Sequence, residues 1–118
     1  MLITLDPSST APIYEQIAAS IRGSIAAGDI AGGAELPATR TLAKALGVNM
    51  HTVLRAYGEL RDDGIIELRQ GRSARVVSGT AAEAALFHQA LGAVAALARR
   101  LGIGPQEASS ILERAYQR

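Results

Sequence analysis

The stretch from Leu36 to Leu60, LPATRTLAKALGVNMHTVLRAYGEL, constrains this chain more than any other. Its spacing predicts a short helix, a tight turn and a second helix. Pro37 stops whatever precedes it, and Leu42, Ala43 and Leu46 then fall at helical spacing. Gly47 stands where a helix C-terminus favours positive φ. Asn49 is placed to cap the second helix, because its side-chain oxygen can accept an otherwise unpaired backbone N–H. Val53, Tyr57 and Leu60 form that helix's buried stripe at i, i+4 and i+7. Asn49, Met50, His51 and Thr52 lie at or before its first turn, and Arg55 lies on the side opposite Tyr57. Polar groups at the start of such a helix suit a major groove, whose base edges are reached by N-terminal residues. An ordinary helical hairpin in a helical core would share these two helices, so the context has to decide.

That context is the run IIELRQGRSARVV after Gly64. Ile65, Ile66 and Leu68 read as one strand, and Ala74, Val76 and Val77 as another, around the basic tip Gln70-Gly71-Arg72-Ser73. Helix, turn, helix, basic hairpin is the order of a winged helix-turn-helix. The expected class is mainly α with a small β-hairpin wing, an α+β fold.

Net charge is only +1, so the total argues neither for nor against nucleic acid. The distribution says more. From Arg40 to Arg61, Arg40, Lys44, Arg55 and Arg61 stand against Glu59 alone; from Arg69 to Arg75, Arg69, Arg72 and Arg75 stand without an acid; and Asp62, Asp63 and Glu67 lie between the two. A local basic footprint counts for more than the sum, although a solvated charge pattern would look the same. The chain has no cysteine and two distant histidines, His51 and His88, which is poor material for a metal site. No Ser/His/Asp set, catalytic carboxylate pair or phosphate-cradling glycine loop is recognisable, and Gly32-Gly33 lacks the lysine of a P-loop. The expectation is no enzyme, no metal and no cofactor. The N-terminus lacks the features of a signal peptide, and the alanine-rich segment near 81–98 is interrupted by Glu83, His88 and Gln89. A cytoplasmic protein without a membrane partner is expected.

Upstream, residues 2–5 suggest a short strand or arm. Thr10 is a candidate N-cap for a helix with Pro12 in its first turn and an apolar stripe of Tyr14, Ile17, Ile21 and Ile25. Gly28 ends it, and Leu36 is placed to add a short strand to the wing. Ser78-Gly79 marks a boundary, giving a DNA-binding unit over 1–79 and a helical region over 80–118. Thr80 and Glu83 have the spacing of a capping box. Two helices follow, separated by Gly102 and Gly104, the second opened by Pro105. The 39 residues from Thr80 to Arg118 cannot bury so wide an apolar face unaided. Packing on the winged helix is one outlet, and a ligand cavity of about 300 Å³ or more is hard to build from two helices. A homodimer contact fits such a face best, through Leu86, Leu91, Val94, Leu97, Leu101, Ile111 and Leu112.

Taken together, Pro12-Ile-Tyr14-Glu-Gln-Ile17, Gly28-Asp-Ile30, Leu36-Pro-Ala-Thr-Arg40-Thr-Leu-Ala43, Leu46-Gly-Val48, Asn49-Met-His-Thr52-Val-Leu-Arg55-Ala-Tyr57, Gly64-Ile-Ile-Glu67 and Gln70-Gly-Arg72 resemble the winged helix of GntR-family bacterial transcription regulators. The resemblance covers about Pro12 to Val77. The Asn-x-x-Thr-Val-x-Arg-Ala-Tyr form and the short C-terminal helices are similar to the YtrA-type branch. It implies a dimeric regulator of double-stranded operator DNA, often a repressor. It implies phosphate or base contacts for Arg40, Asn49, His51 and Thr52, and a minor-groove wing tip at Gln70, Gly71 and Arg72. Met50 and Leu54 stand where many relatives carry arginine, which leaves Arg55 as a candidate base reader. Two bland alternatives stay open: Arg40 pairing with Asp62 or Asp63, and a solvated His51. A winged helix used as a protein-interaction module without specific DNA binding is the alternative for the whole chain.

Overall fold

A computed structural model describes residues 3–69 and 73–118. The elements are α1 (Ile13–Ala26), α2 (Thr39–Leu46), α3 (Met50–Asp62), β1 (Ile66–Glu67), β2 (Arg75–Val76), α4 (Ala81–Arg100) and α5 (Pro105–Tyr116). Residues 3–5 form no strand.

Helix α1 buries Ile17, Ala18, Ile21 and Ile25 along one stripe, as its spacing predicts. Its start differs from expectation. Pro12 is the N-cap, no side chain caps the helix, and Thr10 lies outside it. Gln16 fastens the incoming chain instead: its side-chain oxygen accepts the Asp6 N–H at 2.7 Å, and its amide donates to the carbonyls of Asp6 and Ala11.

Gly47 closes α2 in the left-handed region (φ 69°, ψ 34°), where a Cβ would be strained. Asn49 then caps α3, its Oδ1 accepting the His51 N–H at 2.7 Å. Val53, Ala56, Tyr57 and Leu60 are buried. The Tyr57 hydroxyl donates to the Pro37 carbonyl at 2.7 Å, which ties α3 to the segment entering α2.

The hairpin is antiparallel, with Ile66 opposite Val76 and Glu67 opposite Arg75. Ile66 and Val76 point into the core while Glu67 and Arg75 face out. Residues 33–36 run along the other edge of β2. The Leu36 N–H donates to the Ala74 carbonyl, Val76 N–H to Ala34, and Gly33 N–H to Val76. The strand expected at Leu36 is therefore a short ladder centred on the Glu35–Arg75 bridge.

Helix α4 begins inside the winged-helix core. Ala81 and Ala85 are buried, and Ala84 packs beside them. The core thus continues past Gly79. The expected capping box is not formed: Thr80 has φ −108° and ψ −4°, and no side-chain bond caps α4. A capping hydroxyl needs an extended backbone to reach the first-turn N–H groups, and Thr80 is already helical. Beyond His88 the helix leaves the core, and Leu91, Val94, Leu97 and Leu101 are all exposed. An 18-residue window of α4 reaches a mean hydropathy of 1.3, the length and apolarity of a membrane span by composition alone. Helix α5 buries no residue. Its Pro105, Ala108 and Leu112 line an open apolar groove with Leu91, Val94 and Ala98 of α4.

Candidate nucleic-acid interface

The helix-turn-helix brings Asn49, His51 and Thr52 together where its turn enters α3, while Arg40 stands at the opposite, N-terminal end of α2. Arg40 is the second residue of α2 and is exposed. Neither expected carboxylate partner holds it: Asp62 pairs with Arg61 at 3.1 Å and Asp63 with Arg22 at 3.3 Å. His51 is exposed, and its backbone N–H is already used by the Asn49 cap. Thr52 is half-buried, and its N–H donates to the Asn49 carbonyl. This first turn carries the positive end of the α3 dipole, without an acidic residue to offset it.

Arg55, one turn further along, is exposed but engaged. Its guanidinium carbon lies 3.9 Å from the centroid of the Tyr14 ring. Leu54 is also exposed. It is shared by two open grooves, one running to Tyr14 and Arg55, the other to Thr39, Leu68 and Ser73.

The wing carries less free positive charge than its sequence suggests. Arg69 pairs with Glu67 at 3.2 Å. Arg75 pairs with Glu35 at 3.3 Å and donates to the Gly33 carbonyl at 3.1 Å, so it clamps the sheet edge. Gln70, Gly71 and Arg72 lie outside the described residues.

Three features escape sequence reasoning. Tyr14 reads as part of the α1 stripe, yet it also faces Arg55. Leu54 reads only as a departure from relatives. The carboxylate of Asp63 joins α1 to α4, with Arg22 Nη2 3.3 Å from Oδ2 and His88 Nδ1 3.7 Å from Oδ1. The only signal for the last is that all three are polar residues flanking apolar stripes. Among the described residues, no group of three or more His, Cys, Asp or Glu is arranged to hold a metal.

Comparison with known proteins agrees with this geometry. Residues 13–76 match the family model described as bacterial regulatory proteins, gntR family. The chain is 42% identical over 71 residues to the HTH-type transcriptional repressor YtrA of Bacillus subtilis, covering 60% of this chain and 55% of that protein. It therefore spans about half of that relative. The solved structure of YtrA from Sulfolobus acidocaldarius, a GntR-family transcription factor, is 35% identical, with a TM-score of 0.63 over 98% of this chain and 97% of that one. The DNA-binding domain of AraR, solved in complex with the operator ORX1, is 29% identical over 63% of this chain and 92% of its own, with a TM-score of 0.57. The matches are transcription regulators rather than enzymes. This chain belongs to the gntR family of bacterial regulatory proteins, a family of DNA-binding transcription regulators, and its likeness runs to the YtrA type.

Proposed function

We propose that this protein is a cytoplasmic repressor that binds an inverted-repeat operator as a homodimer. The observation that carries the reading is the polar first turn of α3, capped by Asn49 and with His51 exposed on it. In this reading Arg40, Asn49 and Thr52 grip phosphates, His51 and Arg55 reach base edges, and Gln70, Gly71 and Arg72 form the wing tip. The comparison with AraR bound to its operator supports the placement of such a domain on DNA.

The dimer reading rests on the face that α4 and α5 leave open. Leu86, Leu91, Val94 and Leu97 of α4, Leu101 at its C-cap, and Ile111 and Leu112 of α5 are all exposed. Apolar exposure of this extent marks a partner. A second copy satisfies both the face and the operator symmetry, because a two-fold axis presents two reading helices to two half-sites. Residues 1–79 would then read DNA and 80–118 would dimerise. Linking the half-sites makes the second contact intramolecular and raises avidity by about 10²–10⁴.

The test is sedimentation of the full chain with and without Leu91→Asp, alongside binding to duplexes selected from random sequence. The expected result is a dimer that enriches inverted repeats, and a Leu91→Asp monomer that binds a single half-site weakly. A Leu91→Asp chain that remains a dimer places the contact elsewhere. Selected DNA without two-fold symmetry rejects the operator form.

A further inference from the structure

Among the described residues of the winged helix, Leu54 is the one large apolar side chain left exposed, with 40% of its surface accessible. Every other exposed large apolar side chain among the described residues lies between the start of α4 and the end of α5. Leu54 follows Met50 and His51 by one helical turn, so it shares their side of α3. Its surroundings mix apolar and polar groups, with the half-buried Leu68 lining the grooves on both sides. The groove on one side holds Arg55, Glu59, Arg61 and Asp62, and the groove on the other opens toward Thr39 and Ser73. Leu54 is thus the exposed large apolar group on the face assigned above to the major groove.

The major groove offers one apolar feature, the 5-methyl group of thymine, and apolar side chains are its usual partner. We propose that Leu54 is a specificity-determining residue that selects a thymine in each half-site by packing against that methyl group. The proposal rests on the reading of α3 as the DNA-reading helix. The leucine has no hydrogen-bonding group, so it cannot hold a guanine through O6 and N7. It favours an A·T pair in the orientation that points the methyl at α3. The neighbouring Arg55, resting on Tyr14, remains available for a polar contact one position along.

The experiment uses the full chain and the duplex it enriches from random sequence. Each thymine of that duplex is replaced in turn by deoxyuridine, which removes only the 5-methyl group. Wild-type protein should lose about fourfold in affinity at one symmetry-related pair of positions, the worth of one buried methyl. Leu54→Ala, which removes the contact from both half-sites, should bind the unsubstituted duplex about as weakly as wild type binds the duplex carrying uracil at both symmetry-related positions, with no further loss on substitution. Its melting temperature should stay unchanged, since Leu54 is exposed. Uniform affinity across every uracil position would overturn the assignment without any variant being needed. Sensitivity that persists in Leu54→Ala would give the methyl contact to another residue and equally remove Leu54. If no duplex is enriched at all, the reading of the protein as a sequence-specific binder fails first, and this inference falls with it.

Discussion

The guanidinium of Arg55 rests on the ring of Tyr14, 3.9 Å from its centroid, so a residue of α3 is held by the first turn of α1. At an exposed site such a contact contributes about 0.5–1 kcal/mol. Arg55 therefore enters any complex from an ordered position. Arg55→Ala should make the affinities for selected and scrambled duplexes converge, and Tyr14→Leu should do so partially while leaving the charge in place. Titration of both duplexes measures this. Parallel losses on the two DNAs would mark Arg55 as a backbone contact.

Arg40 is exposed, and Asp62 and Asp63, the two carboxylates its sequence context offers as partners, are held by other arginines. Its removal should leave the melting temperature unchanged. Phosphate neutralisation sets the salt dependence of binding, so Arg40→Ala should flatten the slope of log K against log salt by about 0.9. An unaltered slope takes Arg40 out of the interface.

Tyr57 supplies a pH signature. Burial pushes its phenol up from the ordinary 10 to about 12. The folded state holds that proton more tightly than the unfolded chain, so the stability from Tyr57 is complete below pH 10 and is lost as the pH rises toward 12. The slope in that window should approach 1.4 kcal/mol per pH unit, roughly the value for one proton. Tyr57→Phe gives up the hydrogen bond to Pro37, worth about 1 kcal/mol, and should remove this contribution to the alkaline slope. Denaturant midpoints across the window compare the two proteins.

Asp63 joins three helices through Arg22 and His88. The Arg22 side chain is 16% exposed and its Nε already lacks a partner. Asp63→Asn should cost roughly 1–3 kcal/mol, because it leaves a half-buried guanidinium without its counter-charge. Arg22→Met in the same background should recover part of the loss. A double-mutant cycle with no coupling would show that the pair is independent.

Truncation separates packing from assembly. A chain ending at Ala90 keeps Ala81, Ala85 and His88, and should stay folded while becoming monomeric. A chain ending at Gly79 uncovers the surface of α1 that these residues close. It should lose at least about 1.5 kcal/mol for two buried methyl groups. Chemical denaturation and sedimentation of both chains give the answer.

The sequence made the helix-turn-helix and the wing legible because local signals agree there with the tertiary fold. Gly47 takes the left-handed turn and Asn49 the cap that their residue types favour. Periodicity placed Ile17, Ile21 and Ile25 in the core as well. The local signals at Thr10 and Thr80 misled, for a shared reason. Gln16 fastens the chain entering α1 from inside the helix, and at Thr80 the backbone is turned helical before the hydroxyl can cap. Ion pairs across long separations left no trace, although the pairing of the segment at Leu36 with the wing was legible. Arg22 and Asp63 lie 41 residues apart, and nothing in either neighbourhood names the other. The ion pairs of Arg69 and Arg75 likewise turn an apparent basic strip into part of the sheet's own framework.

The contact between α1 and α4 has a consequence for the spacing of DNA sites. At Ala81 and Ala85, α4 brings nothing longer than a methyl group to its buried positions. Methyl groups have no rotamers to exchange, and close packing on them leaves α4 little play. If α4 carries the dimer axis, each reading head is set at a fixed azimuth about it. Inserting one base pair between half-sites rotates one of them by about 34° around the duplex. A joint without slack cannot follow that rotation, so the protein would act as a caliper, measuring the phase of two sites as strictly as it reads their letters.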